Sequence, residues 1–285
     1  MPADNLLSPL SADQRRLARR EILRFQHRLS ETGLFADEAL VQLLNLHPRA
    51  ATTIRTLRPG GSSREAWISG AAEGMTGAQI LKQVRTGRLE VRLEGVMTAD
   101  PACRLLLDRI MGEFQIATGL MPMAADGAVV ISSPGLAAPA SIAAEETMTW
   151  HVRGPRLLYA YPPARDPALP WAALREDQAT PVMLDPGQGL YPPLHSPVRP
   201  INGDALNVSV EITFATPRSR MNDLLRRMLG RPAPARPPIT DDAPRFDLTG
   251  RGLVWRDGEA PFWAPAPVRR AVRKRAAAPK LRKAA

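Results

Sequence analysis

The 285-residue sequence has one cysteine (Cys103), four histidines, four lysines, three tyrosines and six phenylalanines. A single thiol excludes an internal disulfide, a cysteine-based zinc knuckle and an iron–sulfur centre, and it fits a reducing, cytoplasmic setting. No run of about 20 apolar residues is present, so no membrane span or membrane partner is expected. Residues 1–10 lack a basic stretch leading into an apolar core, so no secretory leader is expected either. G-x-x-x-x-G-K-[ST], G-x-G-x-x-G and G-x-S-x-G are missing too, which removes the common phosphate cradles and the nucleophile elbow. Cys103 lies on an expected helix with no histidine near it in sequence, and reads as a packed side chain.

Arginine is what the chain has in quantity: 34 residues, in a net charge of +10. The charge is unevenly placed. Residues 231–285 carry 13 basic and five acidic residues, and residues 1–230 carry 25 and 23. Nine of the 29 prolines also follow Gly230. Like-charge repulsion and proline content give a solvated, disordered basic tail over 231–285. Its cluster Arg269, Arg270, Arg273, Lys274, Arg275, Lys280, Arg282 and Lys283 is a candidate for weak, salt-sensitive nucleic-acid contact. No aromatic residue interleaves that cluster, so base stacking is not indicated. Phe246, Leu253-Val254-Trp255 and Phe262-Trp263 are either a docking segment or linker.

The apolar pattern of residues 1–88 is mainly helical. Ser11 and Gln14 have capping-box spacing ahead of Leu17, Ile22, Phe25 and Leu29. Further helices are expected at 36–46, stopped by His47-Pro48, and at 76–84. Asp100-Pro101 opens another, with Leu105, Leu106, Ile110, Phe114 and Ile116 as its stripe. Leu89, Val91 and Leu93 alternate as a strand. After Pro122 the texture is strands: 128–131, 148–152, 156–161, 181–184 and 205–216, the last with Leu206, Val208, Val210, Ile212 and Phe214 on one face. Short strands with turn punctuation suggest a sandwich or barrel. Residues 219–229 close the region as a helix with Met221, Leu224, Leu225 and Met228 on one face, ended by Gly230.

Several motifs are more specific than their periodicity: Ile131-Ser-Ser-Pro-Gly135, Trp150-His-Val-Arg-Gly154, Leu158-Tyr-Ala-Tyr-Pro162, Leu184-Asp-Pro-Gly-Gln-Gly-Leu-Tyr-Pro192, Ser196-Pro197, Asn202-Gly203-Asp204 and Thr216-Pro217. In order and spacing they resemble the bacterial cupin-like proteins related to Jumonji-C oxygenases, from about Leu89 to Leu229. The resemblance implies a mixed α+β protein. It would have N-terminal helices (1–88), a double-stranded β-helix or cupin jelly roll with a closing C-terminal helix (89–230), and the tail (231–285). Usual members hold Fe(II) with two His and one Asp or Glu and bind 2-oxoglutarate in the open positions.

Carried onto this sequence, the His-x-Asp pair falls on Ser141 and Ala143, and the distal His on Val198. Residues 132–150 contain no histidine. No cofactor and no metal are therefore expected, and the chain reads as a non-catalytic binding or regulatory protein. Its barrel would accept a small molecule or peptide, with His151, Arg153, Arg156, His195 and Arg199 as candidate contacts. Arg156 corresponds to the basic residue that often receives the oxo-acid carboxylate. Two alternatives stay open. One is an Fe(II)/2-oxoglutarate-dependent hydroxylase with a relocated site built from His151, His195 and Glu145 or Glu146. The other is a nucleic-acid-associated protein that binds through its tail. The 219–229 stripe is a candidate homodimer element, or a cover for its own barrel.

Overall fold

The computed structural model describes residues 5–18, 20–57, 67–163, 174–229 and 244–256. In chain order these form α1 (Ala12–Leu17), β1 (Leu23–Gln26), α2 (Asp37–Leu46), β2 (Thr52–Leu57), β3 (Trp67–Ala71), α3 (Gly77–Thr86), β4 (Leu89–Leu93), α4 (Val96–Ala99), α5 (Pro101–Thr118) and β5 (Met123–Ser132). Then follow β6 (Ser141–Ile142), β7 (Glu146–Arg153), β8 (Arg156–Ala160), β9 (Thr180–Leu184), β10 (Gln188–Tyr191), β11 (Pro197–Asn202), β12 (Asn207–Ala215), α6 (Pro217–Met228), β13 (Phe246–Thr249) and β14 (Gly252–Trp255).

Eight of the strands make a double-stranded β-helix. In the large sheet the order β10-β7-β12-β5 is antiparallel throughout, and the small sheet runs β6-β11-β8-β9. Apart from β8 and β9, which pair as consecutive strands of the small sheet, successive strands alternate between the sheets, which is how a jelly roll closes with few free edges. The large sheet continues on both sides, with β1 beside β10 and β4, β2, β3, β13 and β14 beyond β5.

The core lies on the outer face of this sheet. Val129, Ile131, Met148, Trp150, Val210, Ile212 and Phe214 pack there against Ile110 and Phe114 of α5 and Ile80 and Val84 of α3. Phe114 meets Tyr191 and Phe214 edge-on, with centroids 5.5 and 5.9 Å apart. The inner face, toward the small sheet, carries a smaller apolar group (Leu158, Val182, Leu184 and Leu190, with Val198 against it), Val130 opposite Ser209, and a set of buried polar residues.

Four expectations need correction. The first helix ends at Leu17, and residues 23–26 are a strand because Leu23 and Phe25 gain a partner in β10 and bury alternately. With β2 and β3 also in the sheet, residues 1–88 are not a separate helical region. On α5 the buried stripe is Cys103, Leu106, Leu107, Ile110, Met111 and Phe114, whereas Leu105 and Ile116 are 74% and 86% exposed. A Leu105→Gln variant is therefore expected to change stability by less than about 0.5 kcal/mol in urea unfolding. Within the expected tail, β13 and β14 form a hairpin paired in parallel with β3 through Phe246 and Asp247. Phe246 and Trp255 are buried.

Candidate functional site

The densest polar group in the barrel centres on Arg156, the first residue of β8, which is only 3% exposed. Its side chain crosses from the small sheet to the large one. Nε donates to Asn202 Oδ1 (2.9 Å), Nη1 to Ser209 Oγ (2.9 Å) and Nη2 to Ser132 Oγ (2.8 Å). The turn at Gly154 delivers it there, joining β7 to β8 with φ +75°.

The proton positions follow from which atoms can donate. A guanidinium has no lone pair, so Ser209 Oγ accepts from it. The Gly154 carbonyl has no proton, so His151 Nε2 donates to it. Nδ1 is then the acceptor, and the Ser209 hydroxyl donates to it over 3.0 Å. Burial, and then the Arg156 charge, lower the His151 pKa to about 3, which keeps this ring neutral. Asn202 is fixed in the same way: Oδ1 faces Arg156 while Nδ2 donates to Ser132 Oγ and Ser133 O.

The result is a buried cation whose direct partners are all neutral. Three of its five N–H groups are used in these contacts, and two are left. Ser132 Oγ accepts twice, so its own proton is also left to give. Burial lowers the Arg156 pKa, with Glu211 and Glu90 offsetting part of that at longer range. Those two acids are engaged elsewhere. Glu211 takes a 2.8 Å ion pair from Arg92, and Glu90 binds Arg55.

The other candidate contacts separate. His151 lines the barrel with Arg156. Arg153 does not: it ends β7 beside a cleft of about 360 Å3 and donates to Asp37 Oδ1 (2.7 Å) and Phe35 O. Arg199 alternates with Val198 on β11, so it lies on the outer face of the small sheet. His195 is in the turn before β11 with φ +67°, and its Nδ1 is 3.4 Å from Ala143 O. Ser141 and Val198 are direct cross-strand partners, and Ala160 stands opposite Val198 on the other side. These side chains share the inward face, with Ser141 at the exposed mouth.

The relocated ligand set does not assemble. Glu146 faces the core and accepts from Tyr191 Oη at 2.8 Å, while His151, five residues on, faces the barrel. Glu145 is exposed. Among the described residues, no group of three or more His, Cys, Asp or Glu side chains could hold a metal ion. The Cys103 thiol is buried, and burial with Asp100 beside it pushes its pKa up to about 12, so it is not a nucleophile. Arg269 to Lys283 lie outside the described residues, as do Trp171, Phe262 and Trp263. No helix among the described residues is long and apolar enough to cross a membrane.

Sequence reasoning missed Ser132, Asn202 and Ser209. Ser209 sits on the polar side of β12, and polar alternation reads as a solvent face. Inside a narrow barrel it is a lining.

No family model and no curated protein matches the chain. Solved structures do. The X-ray structure of Escherichia coli YcfD superposes with a TM-score of 0.51 at 13% identity, over 95% of this chain and 67% of that one. A structure of YcfD, a ribosomal oxygenase from Escherichia coli, in complex with cobalt and 2-oxoglutarate gives 0.51 at 13%, over 93% and 66%. A further crystal structure of Escherichia coli ribosomal oxygenase YcfD gives 0.51 at 14%, over 94% and 66%. The chain thus spans about two thirds of the length of these proteins, and its fold is that of the cupin/Jumonji-C oxygenases. The cobalt and 2-oxoglutarate in one of them overturn the expectation of no cofactor and no metal for this chain. They point to a metal and 2-oxoglutarate as the ligands to test.

Proposed function

We propose that this chain is a binding or regulatory protein on an oxygenase scaffold, taking the carboxylate of a 2-oxoglutarate-class acid at Arg156 without turning it over. The observation that carries the reading is the buried guanidinium with neutral partners, two unspent N–H groups and a Ser132 hydroxyl proton beside them. A carboxylate accepts from such a fork in bidentate geometry and supplies the missing counter-charge. The lowered Arg156 pKa supports this, because an anion would relieve the same desolvation. The non-catalytic part rests on the donors at the mouth: a hydroxyl at Ser141, a methyl at Ala143 and an isopropyl at Val198 do not make a facial triad. A metal-dependent hydroxylase is the second reading, favoured by the cobalt and 2-oxoglutarate of the YcfD complex.

Calorimetric titration of the full chain with 2-oxoglutarate, with and without Co(II) or Fe(II) under anaerobic conditions, separates the two. The expected result is saturable 2-oxoglutarate binding that Arg156→Gln weakens at least about tenfold, since it removes a charge-assisted pair. Arg156→Lys, which keeps the charge but loses the fork, should fall between. No heat under any condition would sink the ligand assignment. Stoichiometric iron together with conversion of 2-oxoglutarate to succinate would sink the non-catalytic one.

A further inference from the structure

Helix α6 departs from the rest of the molecule. Its N-terminus is secured by a capping box between Thr216 and Ser219, with Pro217 in its first turn, and Asp223 pairs with Arg227 at 2.8 Å. Beyond the cap it rests on nothing described: from Pro217 to Leu229, Ser219 is half-buried and every other described side chain is exposed. The apolar residues nevertheless form one stripe. Met221, Leu224, Leu225 and Met228 fall at i, i+3, i+4 and i+7, and they and Leu229 are 49–75% exposed. A helix of 12 residues is at the limit of what holds together alone in water, about 12–15 residues. The stripe calls for an apolar medium to cover it.

Charge selects the medium. Arg220 and Arg227 flank the stripe on one side and Arg218 on the other, and the helix carries a single acid, Asp223. Pairing two copies stripe to stripe would set arginine flanks against arginine flanks, which disfavours a second copy as the cover. A nucleic acid satisfies the arginines and offers nothing to the methionines and leucines. An anionic lipid surface satisfies both: the stripe enters the headgroup–acyl boundary while the long arginine side chains reach the lipid phosphates.

We propose that α6 is a membrane-surface element that docks the protein on anionic lipid, lying in the interface rather than crossing it. The orientation follows from the capped turn at Thr216, which leads straight out of β12. A surface-bound α6 therefore places the lipid next to the end of a central barrel strand.

The test is co-sedimentation of the full chain with phosphatidylcholine vesicles and with mixed phosphatidylcholine–phosphatidylglycerol vesicles at low and high salt. It is run beside Leu224→Asp/Leu225→Asp and Arg220→Glu/Arg227→Glu, with light scattering for mass. Wild type should partition onto the anionic vesicles at least about tenfold better than onto the neutral ones, and salt should weaken it. Both double variants should lose at least about tenfold of that binding while keeping the wild-type melting curve, because the substituted side chains are solvent-facing. Equal binding by Leu224→Asp/Leu225→Asp would assign all attraction to residues 231–285 and overturn the proposal. So would failure of wild type to bind anionic vesicles, or a wild-type dimer that this variant converts to monomer.

Discussion

Lowering the pH from 7 to 5 should remove about 4 kcal/mol of stability, from two buried histidines alone. His27 is held neutral between the Gln188 carbonyl, to which Nε2 donates at 3.1 Å, and the Leu29 N–H, which Nδ1 accepts at 3.2 Å. Burial lowers its pKa to about 4. His151 is neutral in the Arg156 network, with its pKa lowered to about 3. In the unfolded chain both rings titrate near 6.5. Below that value the unfolded state binds two protons that the folded state refuses. The contribution of these rings is thus fully present above about pH 6.5 and is lost as pH falls toward 4 for His27 and 3 for His151. At about 1.4 kcal/mol per unit, 1.5 units on two rings is the stated loss, a large share of an ordinary 5–15 kcal/mol total. The Asp37 and Glu211 carboxylates, both held below their usual range, continue the loss at lower pH. Urea unfolding at pH 7.5, 6 and 5 checks this. The slope should approach two protons between pH 6 and 5, and His151→Gln should reduce it to about one. A slope of about one in the wild type would mean that one ring is charged in the folded state, and a flat profile that both are.

The sequence carries the barrel better than it carries its surroundings. β5, β7, β8, β9 and β12 are legible because both periodicity and turn chemistry fix them: Gly154 and Asn202-Gly203-Asp204 punctuate strands whose apolar residues alternate. β1 is not legible. Leu17, Ile22, Phe25 and Leu29 satisfy a helical spacing, Leu23, Phe25 and His27 satisfy alternation, and only the docking of Phe25 over Gly189 and edge-on against Trp150, 4.7 Å between centroids, decides for the strand. The stripe of α5 is rotated for a related reason. Leu105 and Leu107 are equal in hydropathy, and which one meets the sheet depends on where α4 and the Asp100 cap start the helix.

The site divides in the same way. Arg156 was reachable through the Trp150–Tyr161 motifs that carry the resemblance. Its partners were not, because a serine on β5, an asparagine on β11 and a serine on β12 converge only once two sheets are closed over each other. Arg153 and Arg199 show the converse. Each is near Arg156 or Val198 in sequence, and each is taken out of the barrel by one step of strand alternation or by a strand end. The inward face is therefore set by register, and register by pairing that no local pattern reports.

Register at the turn feeding Arg156 depends on one residue, and Gly154→Ala should cost about 3 kcal/mol. The backbone there has φ +75°, in the left-handed region that costs an L side chain about 1–2 kcal/mol. An added Cβ would also sit 2.6 Å from the Leu206 carbonyl and 2.9 Å from Asn207 Nδ2, groups of the neighbouring chain segment that leave no room for it. Overpacking of this kind adds roughly 1–3 kcal/mol. Gly33 provides the control: its φ is also +75°, but an added Cβ there meets nothing within 4 Å, so Gly33→Ala should cost only about 1 kcal/mol. A shift of the turn that relieves this strain would carry the Gly154 carbonyl off His151 Nε2 and Arg156 off Ser209 and Ser132. The variant should therefore lose the 2-oxoglutarate binding proposed at Arg156 along with stability, and its slope of stability against pH should flatten as His151 gains water. Equal costs for the two alanine variants in urea unfolding would show that backbone strain alone is at work and that the turn does not set the position of Arg156.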